Sequence, residues 1–362
     1  MIEGRKMRIM QVIPELCFGG AETMCTNLSI ELKKMGHDVL VVSLYTYKSD
    51  ITERLIKNDV QVVYLDKKAG LNLGIIKKLM RVMKEFNPDV VHTHLYAAKY
   101  AQVAATISGV KCRVHTIHNV ANKDGSKADQ VINHILIKKF GVIPVSLSHI
   151  IQETVSELYG ISKQQTPVVY NGVPLNLCIH HVYYHIADKF IHIGRFSEQK
   201  NHAMMISAFV KAHKINDKIE LHLYGEGELL NVIKKMIVNL GASDYIHYCG
   251  TVNNPYAVLS ESDCFILPSL WEGVPMTLIE AMGTGLPIIA SDVGGVSNML
   301  HNNESAILIK PCEDELVSAI LQLSSDKTLC SFLGKNALIE SKRFSSKKMA
   351  MDYLEIYQKE MR

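Results

Sequence analysis

The stretch that decides the fold reads Cys264-Phe-Ile-Leu-Pro-Ser-Leu-Trp-Glu-Gly-Val-Pro-Met-Thr-Leu-Ile-Glu-Ala-Met-Gly283. Its apolar start is typical of a buried parallel strand. Gly273 and Pro275 then break the chain, and because proline suits the first position of a helix, we expect a helix to begin there. Glu272 falls on the loop and Glu280 within the first turns of the helix. A buried strand that runs through a short loop into a helix is typical of a doubly wound α/β sheet.

The same loop offers three kinds of binding group in order. The carboxylates of Glu272 and Glu280 accept hydrogen bonds from hydroxyl groups, which sugars carry in number. Between the two glutamates lie the amide N–H groups of a helix start, which attract phosphate. A nucleotide sugar presents a hexose, a diphosphate and a ribose in this order. The alternative is that both glutamates are solvated acids that complement the helix dipole.

Length and composition favour a soluble globular protein. The chain has 362 residues, of which 48% are hydrophobic and 21% charged, and its length suggests two or three domains. Eight cysteines without a C-x-x-C pair indicate reduced core residues of a cytosolic protein. No apolar run reaches the roughly 18 residues of a membrane span, and no secretory signal is visible. We therefore expect a cytoplasmic protein.

The charge is uneven along the chain. The net charge of +3 is made up of +7 in residues 1–175 and −4 in residues 176–362. A basic first half favours peripheral contact with the inner face of an anionic membrane, or with an anionic lipid-linked acceptor, and Ile75–Lys84 has the apolar and basic faces of an interfacial helix. The alternatives are a chance imbalance of surface charge and an ordinary helix packed on the sheet. Nothing in the pattern indicates a nucleic-acid partner.

Apolar strands alternate with amphipathic stretches throughout the chain, which predicts two Rossmann-like domains with doubly wound parallel sheets, facing each other across a cleft. The first six strands are predicted at Arg8–Pro14, Val39–Leu44, Gln61–Leu65, Asp89–Thr93, Cys112–Ile117 and Val142–Val145. The second six are predicted at Lys189–Gly194, Ile219–Tyr224, Tyr245–Cys249, Cys264–Leu267, Pro287–Ala290 and Ala306–Ile309.

The domain boundaries follow from this alternation. Residues 1–6 contain a protease-site sequence typical of a cloning scar, residues 7–173 form the first domain, and residues 189–344 form the second. The linker, residues 174–188, carries His180, His181 and His185, which we interpret as loop histidines because no acid or thiol stands at ligand spacing. Residues 345–362 read as a charged amphipathic helix. In open α/β sheets ligands bind at the carboxyl ends of the strands, so functional motifs should directly follow strands.

Several motifs do follow predicted strands. Arg195 and Lys200 come after the strand at 189–194, where two cations suit a diphosphate whose charge grows as the bond to the sugar breaks. Gly19 and Gly20 follow the first strand and open a helix, which lets backbone amides approach a ligand. His118 ends the strand at 112–117, at the mouth of the expected cleft. Each motif has a structural alternative. Arg195 and Lys200 could be exposed surface bases, Gly19-Gly20 could form a plain tight turn, and His118 could be a histidine at the edge of the core.

Two further patterns narrow the chemistry. Gly225-x-Gly227 lacks the third glycine of a dinucleotide fingerprint, so it does not indicate an NAD site. The chain also has no Asp-x-Asp motif, the pair through which metal-dependent sugar transferases hold diphosphate. We therefore predict no metal ion and no cofactor, with Arg195, Lys200 and the helix start in the place of a metal.

Together these motifs resemble the retaining glycosyltransferases of family four, which have the GT-B fold and use nucleotide sugars. The resemblance spans nearly the whole chain after Met7. It rests on Gly19-Gly-Ala-Glu22, Asn171-Gly-Val173, Gly194-Arg195 with Lys200, Glu272 through Glu280, Gly285-Leu-Pro287 and Asp292-Val-Gly-Gly295.

The resemblance implies a role for each site residue. Glu272 would bind hydroxyls of the donor sugar, Glu280 the ribose, and Arg195 with Lys200 the diphosphate. His118 would approach the sugar from the first domain, Gly19 and Gly20 would close on the phosphate, and the terminal helix would cross back to the first domain. The sugar and phosphate would lie in a backbone cradle made of Gly273, Val274, Pro275, Met276 and Thr277.

The implied reaction is metal-independent transfer of a hexose from a nucleoside-diphosphate sugar, with UDP favoured over GDP, to a hydroxyl of a glycan or lipid-linked acceptor. The anomeric configuration would be retained, the departing phosphate would take the acceptor's proton, and the product would serve bacterial surface polysaccharide or glycoconjugate synthesis. Two alternatives stay open: a nucleotide-sugar epimerase of the same fold, and a protein that binds nucleotide sugar without turnover.

Overall fold

The structure is a computed structural model that describes residues 5–17, 19–180, 186–252 and 254–361. Residues 1–4 of the predicted scar and the linker histidines His181 and His185 lie outside the described residues. The chain divides into two compact units. The first comprises Met1–Gly172 and Ser346–Arg362, and the second comprises Val173–Ser345.

The first unit is built on a six-stranded parallel sheet with the order β3-β2-β1-β4-β5-β6. Its strands are β1 (Arg8–Ile13), β2 (Asp38–Ser43), β3 (Gln61–Tyr64), β4 (Val90–His94), β5 (Cys112–Ile117) and β6 (Ile143–Ser146). Its helices are α1 (Gly20–Lys34), α2 (Asp50–Lys57), α3 (Gly74–Phe86), α4 (Ala98–Ile107), α5 (Lys127–Phe140), α6 (His149–Tyr159) and, at the end of the chain, α13 (Ser346–Glu360).

The core of this unit explains its amphipathic helices. The inner strands are buried on both faces, which is why they read as nearly continuous apolar runs. Ile75, Leu79 and Met83 of α3 pack into the core against the sheet, while Lys77 and Lys78 are exposed. The pattern at residues 75–84 is thus accounted for by packing on the sheet, the alternative to an interfacial helix.

The second unit repeats the architecture with the order β12-β11-β10-β7-β8-β9, again with parallel pairings. Its strands are β7 (Lys189–Ile193), β8 (Glu220–Tyr224), β9 (Ile246–Tyr248), β10 (Cys264–Leu267), β11 (Ile288–Ser291) and β12 (Ile307–Ile309). Its helices are α7 (His202–His213), α8 (Leu230–Asn239), α9 (Pro255–Ser260), α10 (Met276–Thr284), α11 (Glu313–Leu323) and α12 (Lys327–Ser341). If the strands of the second unit are numbered from one to six along the chain, their order in the sheet, read from β9 to β12, is the same as that of the first unit.

The last helix, α13, belongs to the first unit although it follows the second in the chain. Its Tyr353 and Tyr357 are fully buried. The Tyr353 hydroxyl lies 2.7 Å from Oγ1 of Thr116, and the Tyr357 hydroxyl lies 2.7 Å from Nδ1 of His92. Hydrogen bonds to β5 and β4 therefore fix the helix, beyond what apolar packing alone would do.

The predicted fold class, two Rossmann-like α/β domains, is confirmed, and each of the twelve strands ends within one residue of its predicted position. All eight cysteines are free, but only Cys25, Cys112, Cys264 and Cys330 are buried, so fewer belong to the core than expected. Within the described parts of the chain, no helix is long and apolar enough to cross a bilayer.

Candidate active site

The loops after β7 and β10 bring together the residues predicted to bind a nucleotide sugar. These strands are neighbours in the sheet, and the strand order reverses between them. Such a switch point separates two outgoing loops and leaves a crevice at the carboxyl ends of the strands. Arg195 and Lys200 follow β7, whereas Glu272 follows β10. Lys200 and Glu272 thus meet at the carboxyl ends of these two strands, and Arg195 lies on the same loop as Lys200.

Glu272 is the centre of a polar cluster in this crevice. It is 4% exposed, and its Oε1 accepts hydrogen bonds from Lys200 Nζ at 2.5 Å and from Ser269 Oγ at 2.6 Å. Its Oε2 lies 3.3 Å from Nε2 of Gln199. Since a buried carboxylate needs hydrogen-bond donors, these three side chains make its burial tolerable. In this structure Lys200 and Glu272 therefore form an ion pair with each other.

Gln199 joins the two loops, a role that the sequence pattern did not reveal. Its backbone carbonyl accepts a hydrogen bond from the Leu270 amide at 2.8 Å, and its Nε2 donates to the Trp271 carbonyl at 2.9 Å. The next residue but one, Asn201, takes a left-handed conformation with φ 53° as the chain turns into α7. Lys200 thus lies between Gln199, which is hydrogen-bonded to the other loop, and Asn201, which precedes α7.

Glycines support the Glu272 loop from behind. Gly294 has φ 54°, and a Cβ placed on it would lie 1.9 Å from the Glu272 carbonyl oxygen. A Cβ on Gly295 would lie 1.8 Å from the Gly273 carbonyl oxygen, and the Gly295 amide donates to the Glu272 carbonyl at 3.2 Å. Only glycine allows this approach, so the Asp292-Val-Gly-Gly295 motif fixes the position of Glu272.

A second pair of glycines supports the loop that carries Arg195. Gly225 and Gly227 have φ 137° and 155°. A Cβ on Gly225 would lie 2.0 Å from the Gly194 carbonyl oxygen, and one on Gly227 would lie 2.4 Å from the Phe196 carbonyl oxygen. Their function in this fold is close packing of backbone on backbone, consistent with our reading that they are not a dinucleotide fingerprint.

The helix α10 starts one residue later than expected. Pro275 is its N-cap, with φ −70° and ψ 125°, and Met276 is the first helical residue. Among the described residues no side chain caps this start. The first-turn amides around Met276 and Thr277 thus lie where an anion would complete their hydrogen bonds. Gly273, Val274 and Pro275 lead into them as a buried segment.

Glu280 and Arg195 differ in exposure. Glu280 is 4% exposed within α10, and its charge adds to burial in raising the pKa of Cys178 to about 12. Cys178 lies against the same helix, because its Sγ would be 2.7 Å from a Cβ on Gly283. Arg195, by contrast, is exposed. An exposed guanidinium and a partly buried, paired ammonium therefore offer positive charge of two different kinds.

Two histidines lie beneath Lys200 and stay neutral. Nδ1 of His192 donates a hydrogen bond to the Ile266 carbonyl at 2.8 Å, and His202 stacks on Phe196 with ring centroids 4.1 Å apart. Burial is the main cause that lowers the pKa of His192 to about 4 and that of His202 to about 2, and the Lys200 charge contributes to both shifts. These rings therefore add no positive charge that would compete with Lys200 for anions.

His118 belongs to the first unit, at the end of β5, and is hydrogen-bonded to a second histidine. Its Nε2 lies 3.1 Å from Nδ1 of His94, whose Nε2 lies 2.9 Å from Oε1 of Gln11. Burial, with a smaller contribution from His115, lowers the pKa of His118 to about 3. His118 is therefore a neutral ring at physiological pH, fit to exchange hydrogen bonds with hydroxyls but not to act as a cation.

Asp124 holds the loop after His118, and the sequence pattern did not single it out. Its Oδ1 accepts a hydrogen bond from the His118 amide at 3.2 Å. Burial raises the pKa of Asp124 to about 7, although hydrogen bonds from the His118 and Asn119 amides oppose the shift. No motif marks this aspartate, because its burial depends on how residues 118–129 fold back.

Gly19 and Gly20 lie at the start of α1, where Gly19 is the N-cap in extended conformation and Gly20 the first helical residue. A Cβ on Gly19 would lie 2.3 Å from Oε2 of Glu22. Glu22 is 7% exposed, so a buried carboxylate takes the space beside Gly19. This placement gives Gly19 a packing role within the first unit, and ligand contact by these glycines stays a prediction.

Comparison with known proteins agrees with this geometry. The model of the family described as Glycosyltransferase Family 4 matches residues 18–177, and the model described as Glycosyl transferases group 1 matches residues 186–339. An Escherichia coli UDP-Gal:alpha-D-GlcNAc-diphosphoundecaprenol alpha-1,3-galactosyltransferase is 28% identical over 293 residues, which cover 73% of this chain and 75% of the relative. The Bacillus anthracis N-acetyl-alpha-D-glucosaminyl L-malate synthase is 24% identical over 94% of this chain and 93% of its own.

Solved structures share the fold. The crystal structure of Anabaena Alr3699/HepE in complex with UDP-glucose superimposes with a TM-score of 0.84 at 19% identity, over 98% of this chain and 100% of that one. A glycosyltransferase from Rickettsia africae ESF-5 superimposes with a TM-score of 0.82 at 20% identity, over 99% and 100% of the two chains. At such identity the likeness establishes the GT-B fold.

Proposed function

The chain belongs to glycosyltransferase family 4, and we propose that it moves a hexose from a nucleoside-diphosphate sugar to an acceptor hydroxyl with retention of configuration and without a metal ion. The observation that carries the proposal is the polar cluster of Glu272, Lys200, Ser269 and Gln199 beside the uncapped start of α10. This cluster offers a hydroxyl acceptor, a fixed cation and free helix amides within one crevice.

We assign the donor contacts from this arrangement. The Glu272 carboxylate accepts hydrogen bonds from sugar hydroxyls, and Glu280 accepts them from the ribose. The diphosphate binds the first-turn amides of α10 and the charges of Lys200 and Arg195, with Gly273 to Thr277 as the backbone cradle. From the family resemblance we also propose that His118 binds a substrate hydroxyl through its neutral ring and that the amides at Gly19 and Gly20 contact phosphate.

Donor binding exchanges the partners of the ion pair. In this structure Lys200 neutralises Glu272 at 2.5 Å. When a donor binds, the phosphate oxygens take the ammonium and the sugar hydroxyls take the carboxylate, so neither buried charge loses a partner. The cation is thus in place before the reaction begins, as electrostatic stabilisation of a leaving group requires.

The chemical step breaks the bond between the anomeric carbon and the phosphate oxygen and forms a bond from that carbon to the acceptor oxygen. The acceptor's proton passes to an oxygen of the departing nucleoside diphosphate. Negative charge grows on the diphosphate as it leaves, and Lys200, Arg195 and the helix start stabilise it. Attack and departure occur on the same face of the sugar, which retains the configuration.

The names of the relatives support the choice of substrates. The Escherichia coli relative uses UDP-Gal and a diphosphoundecaprenol-linked acceptor, and the structural neighbour is a UDP-glucose complex. We therefore propose a UDP-hexose donor and a glycan or lipid-linked acceptor in polysaccharide or glycoconjugate synthesis. Contact with the membrane that such an acceptor implies is tested by flotation with anionic liposomes, and absence of binding at low salt would refute it.

Binding is best tested through Trp271, which precedes Glu272 and is the single tryptophan of the chain. Its fluorescence should change in a saturable way with UDP and UDP-hexoses, and less with GDP. Arg195→Ala should lower turnover about 10²- to 10³-fold, by analogy with the loss of one transition-state donor, and leave the fold intact because Arg195 is exposed. Lys235→Ala, an exposed base on α8, is the matched control and should keep full activity.

The reaction is then followed with donor and acceptor together. Transfer with an α-configured product by NMR from an α-linked donor, unchanged after chelation of divalent metals, is the expected result. A new sugar formed from donor alone would indicate epimerisation, and saturable binding without product for any acceptor would indicate a binding protein. Normal turnover in Arg195→Ala would contradict the assigned site.

A further inference from the structure

Three metal-ligating side chains meet on one face of the second sheet, at its edge. Glu220 and His222 lie two residues apart on β8, so both point to the same face. His247 on β9 stands beside His222 in the parallel register. The two histidines are far apart in the sequence, and only the strand pairing makes them neighbours.

The distances suit a single metal ion. Nε2 of His222 lies 3.2 Å from Oε2 of Glu220, and Nε2 of His247 lies 3.8 Å from the same oxygen. All three ligand atoms lie within 4.8 Å of one another. Tetrahedral Zn²⁺ with bonds of about 2.0–2.2 Å places neighbouring ligand atoms roughly 3.3 Å apart, so small side-chain rotations would close the site. In the described parts of the chain no other such group occurs.

The donor set selects the class of metal. Two imidazoles and one carboxylate suit zinc and its first-row neighbours, whereas Mg²⁺ and Ca²⁺ prefer shells made of oxygen. The histidines are partly buried and Glu220 is exposed, so an ion could enter from solvent. A set of three protein ligands leaves a fourth position for water.

Cys249 supplies a contact behind the first ligand shell. Its Sγ lies 3.5 Å from Nδ1 of His222, the ring nitrogen that points away from Glu220. Histidines that bind metal usually make a hydrogen bond through their other nitrogen, which fixes the tautomer. Without metal, Nε2 of His222 donates its proton to Glu220. With metal bound at Nε2, the ring proton moves to Nδ1 and faces the sulfur.

We propose that Glu220, His222 and His247 bind one Zn²⁺-class ion that clamps β9 to β8. β9 has three residues and is the outermost strand of its sheet, so it has a neighbour on one side only. A metal bridge between the two strands would add a link where pairing is weakest. This structural site is separate from the transfer chemistry, which we propose to be metal-independent.

The test uses the full chain, stripped with a chelator, kept reduced and titrated with Zn²⁺, with Co²⁺ as a spectroscopic probe. Wild type should bind one tight equivalent and show the absorption of imidazole-bound Co²⁺. His222→Ala and His247→Ala should each weaken this binding at least about tenfold, since loss of an outer contact alone costs that much. His301→Ala, an exposed histidine in the same unit, should bind as wild type does.

The unfolding temperature and circular dichroism are measured for the same variants. Zn²⁺ should raise the unfolding temperature of wild type and of His301→Ala, but not of His247→Ala. Circular dichroism confirms that each variant is folded before titration. Failure of wild type to bind an equivalent would overturn the site, and so would binding by His222→Ala and His247→Ala that is as tight as that of wild type. Neither result bears on the glycosyl transfer.

Discussion

Removal of both partners of the Lys200–Glu272 pair should destabilise the second unit by clearly less than the sum of the two single removals. Their charged atoms lie 2.5 Å apart, and the side chains are 12% and 5% exposed. At an effective dielectric constant near 20, such a contact is worth about 7 kcal/mol before the cost of desolvation. Because both groups have left water, the net gain is small, but a lone buried charge is costly.

The expected values follow from this asymmetry. Lys200→Met leaves the Glu272 carboxylate with Ser269 and Gln199 only, and should cost about 3–5 kcal/mol. Glu272→Gln should cost less, since a lysine can move its ammonium toward solvent on its flexible stem. The double variant carries no unpaired charge, so it should be more stable than the sum of the single changes predicts, by about 2–3 kcal/mol.

The assay is urea unfolding followed by fluorescence of Trp271, which reports on this unit alone because the chain has no other tryptophan. Apo protein is used, so that ligand binding does not enter. If the free energies of unfolding lost in the two single variants add up to the loss in the double variant within about 0.5 kcal/mol, the reasoning is refuted, because independent sites are additive in that way. A double variant that is also inactive would agree with the proposed roles of both residues.

Three more predictions concern positions outside the pair. Gly294→Ala should destabilise the second unit by more than about 2 kcal/mol and abolish transfer, because its Cβ would strike the Glu272 carbonyl. The control Gly241→Ala has φ 64° and open space around its Cβ, so it should cost only the backbone strain of about 1 kcal/mol. Thermal unfolding and turnover measurements distinguish the two variants. Asp124 has a pKa raised from 3.8 to about 7, so its folded form binds the proton more tightly and its contribution to stability is lost as pH rises from about 4 to 7. Asp124→Asn should therefore stabilise the first unit at pH above 7 and flatten that dependence, and a pH series of unfolding temperatures in which both proteins behave alike would contradict it. Tyr357→Phe should cost about 1–2 kcal/mol by leaving a buried histidine nitrogen without its partner, while Tyr47→Phe at the surface should be neutral in the same melting experiment.

The sequence predicted the strands well because most of them are short apolar runs, and the inner strands of each sheet are buried. Cys264–Leu267 and the other strands are too apolar for loops and too short for helices, and glycine or proline follows many of them. Parallel topology then follows from the alternation with helices. Strand ends locate the crevice in such folds, so Arg195, Lys200 and Glu272 could be assigned to one place before their distances were known.

The contacts within the site could not be predicted in the same way. That Lys200 pairs with Glu272 depends on Gln199, which carries no recognisable pattern and links the two loops through backbone groups. The support from Gly294 follows from a close approach of two backbones, which only coordinates reveal. The histidines on β8 and β9 meet through strand register, and no spacing within the chain encodes that meeting.

The ion pair itself is an argument for the proposed chemistry. A buried pair of charges contributes little to stability, and two apolar side chains of similar size would serve a fold as well or better. Yet the structure commits two loops, two glycines and two hydrogen-bond donors to holding Glu272 and Lys200 in place. Residues that do not maximise the stability of the fold are expected where a site must bind a ligand. A donor that brings phosphate to the ammonium and hydroxyls to the carboxylate finds both groups already desolvated and oriented, and this preorganisation is what stabilisation of a leaving diphosphate demands.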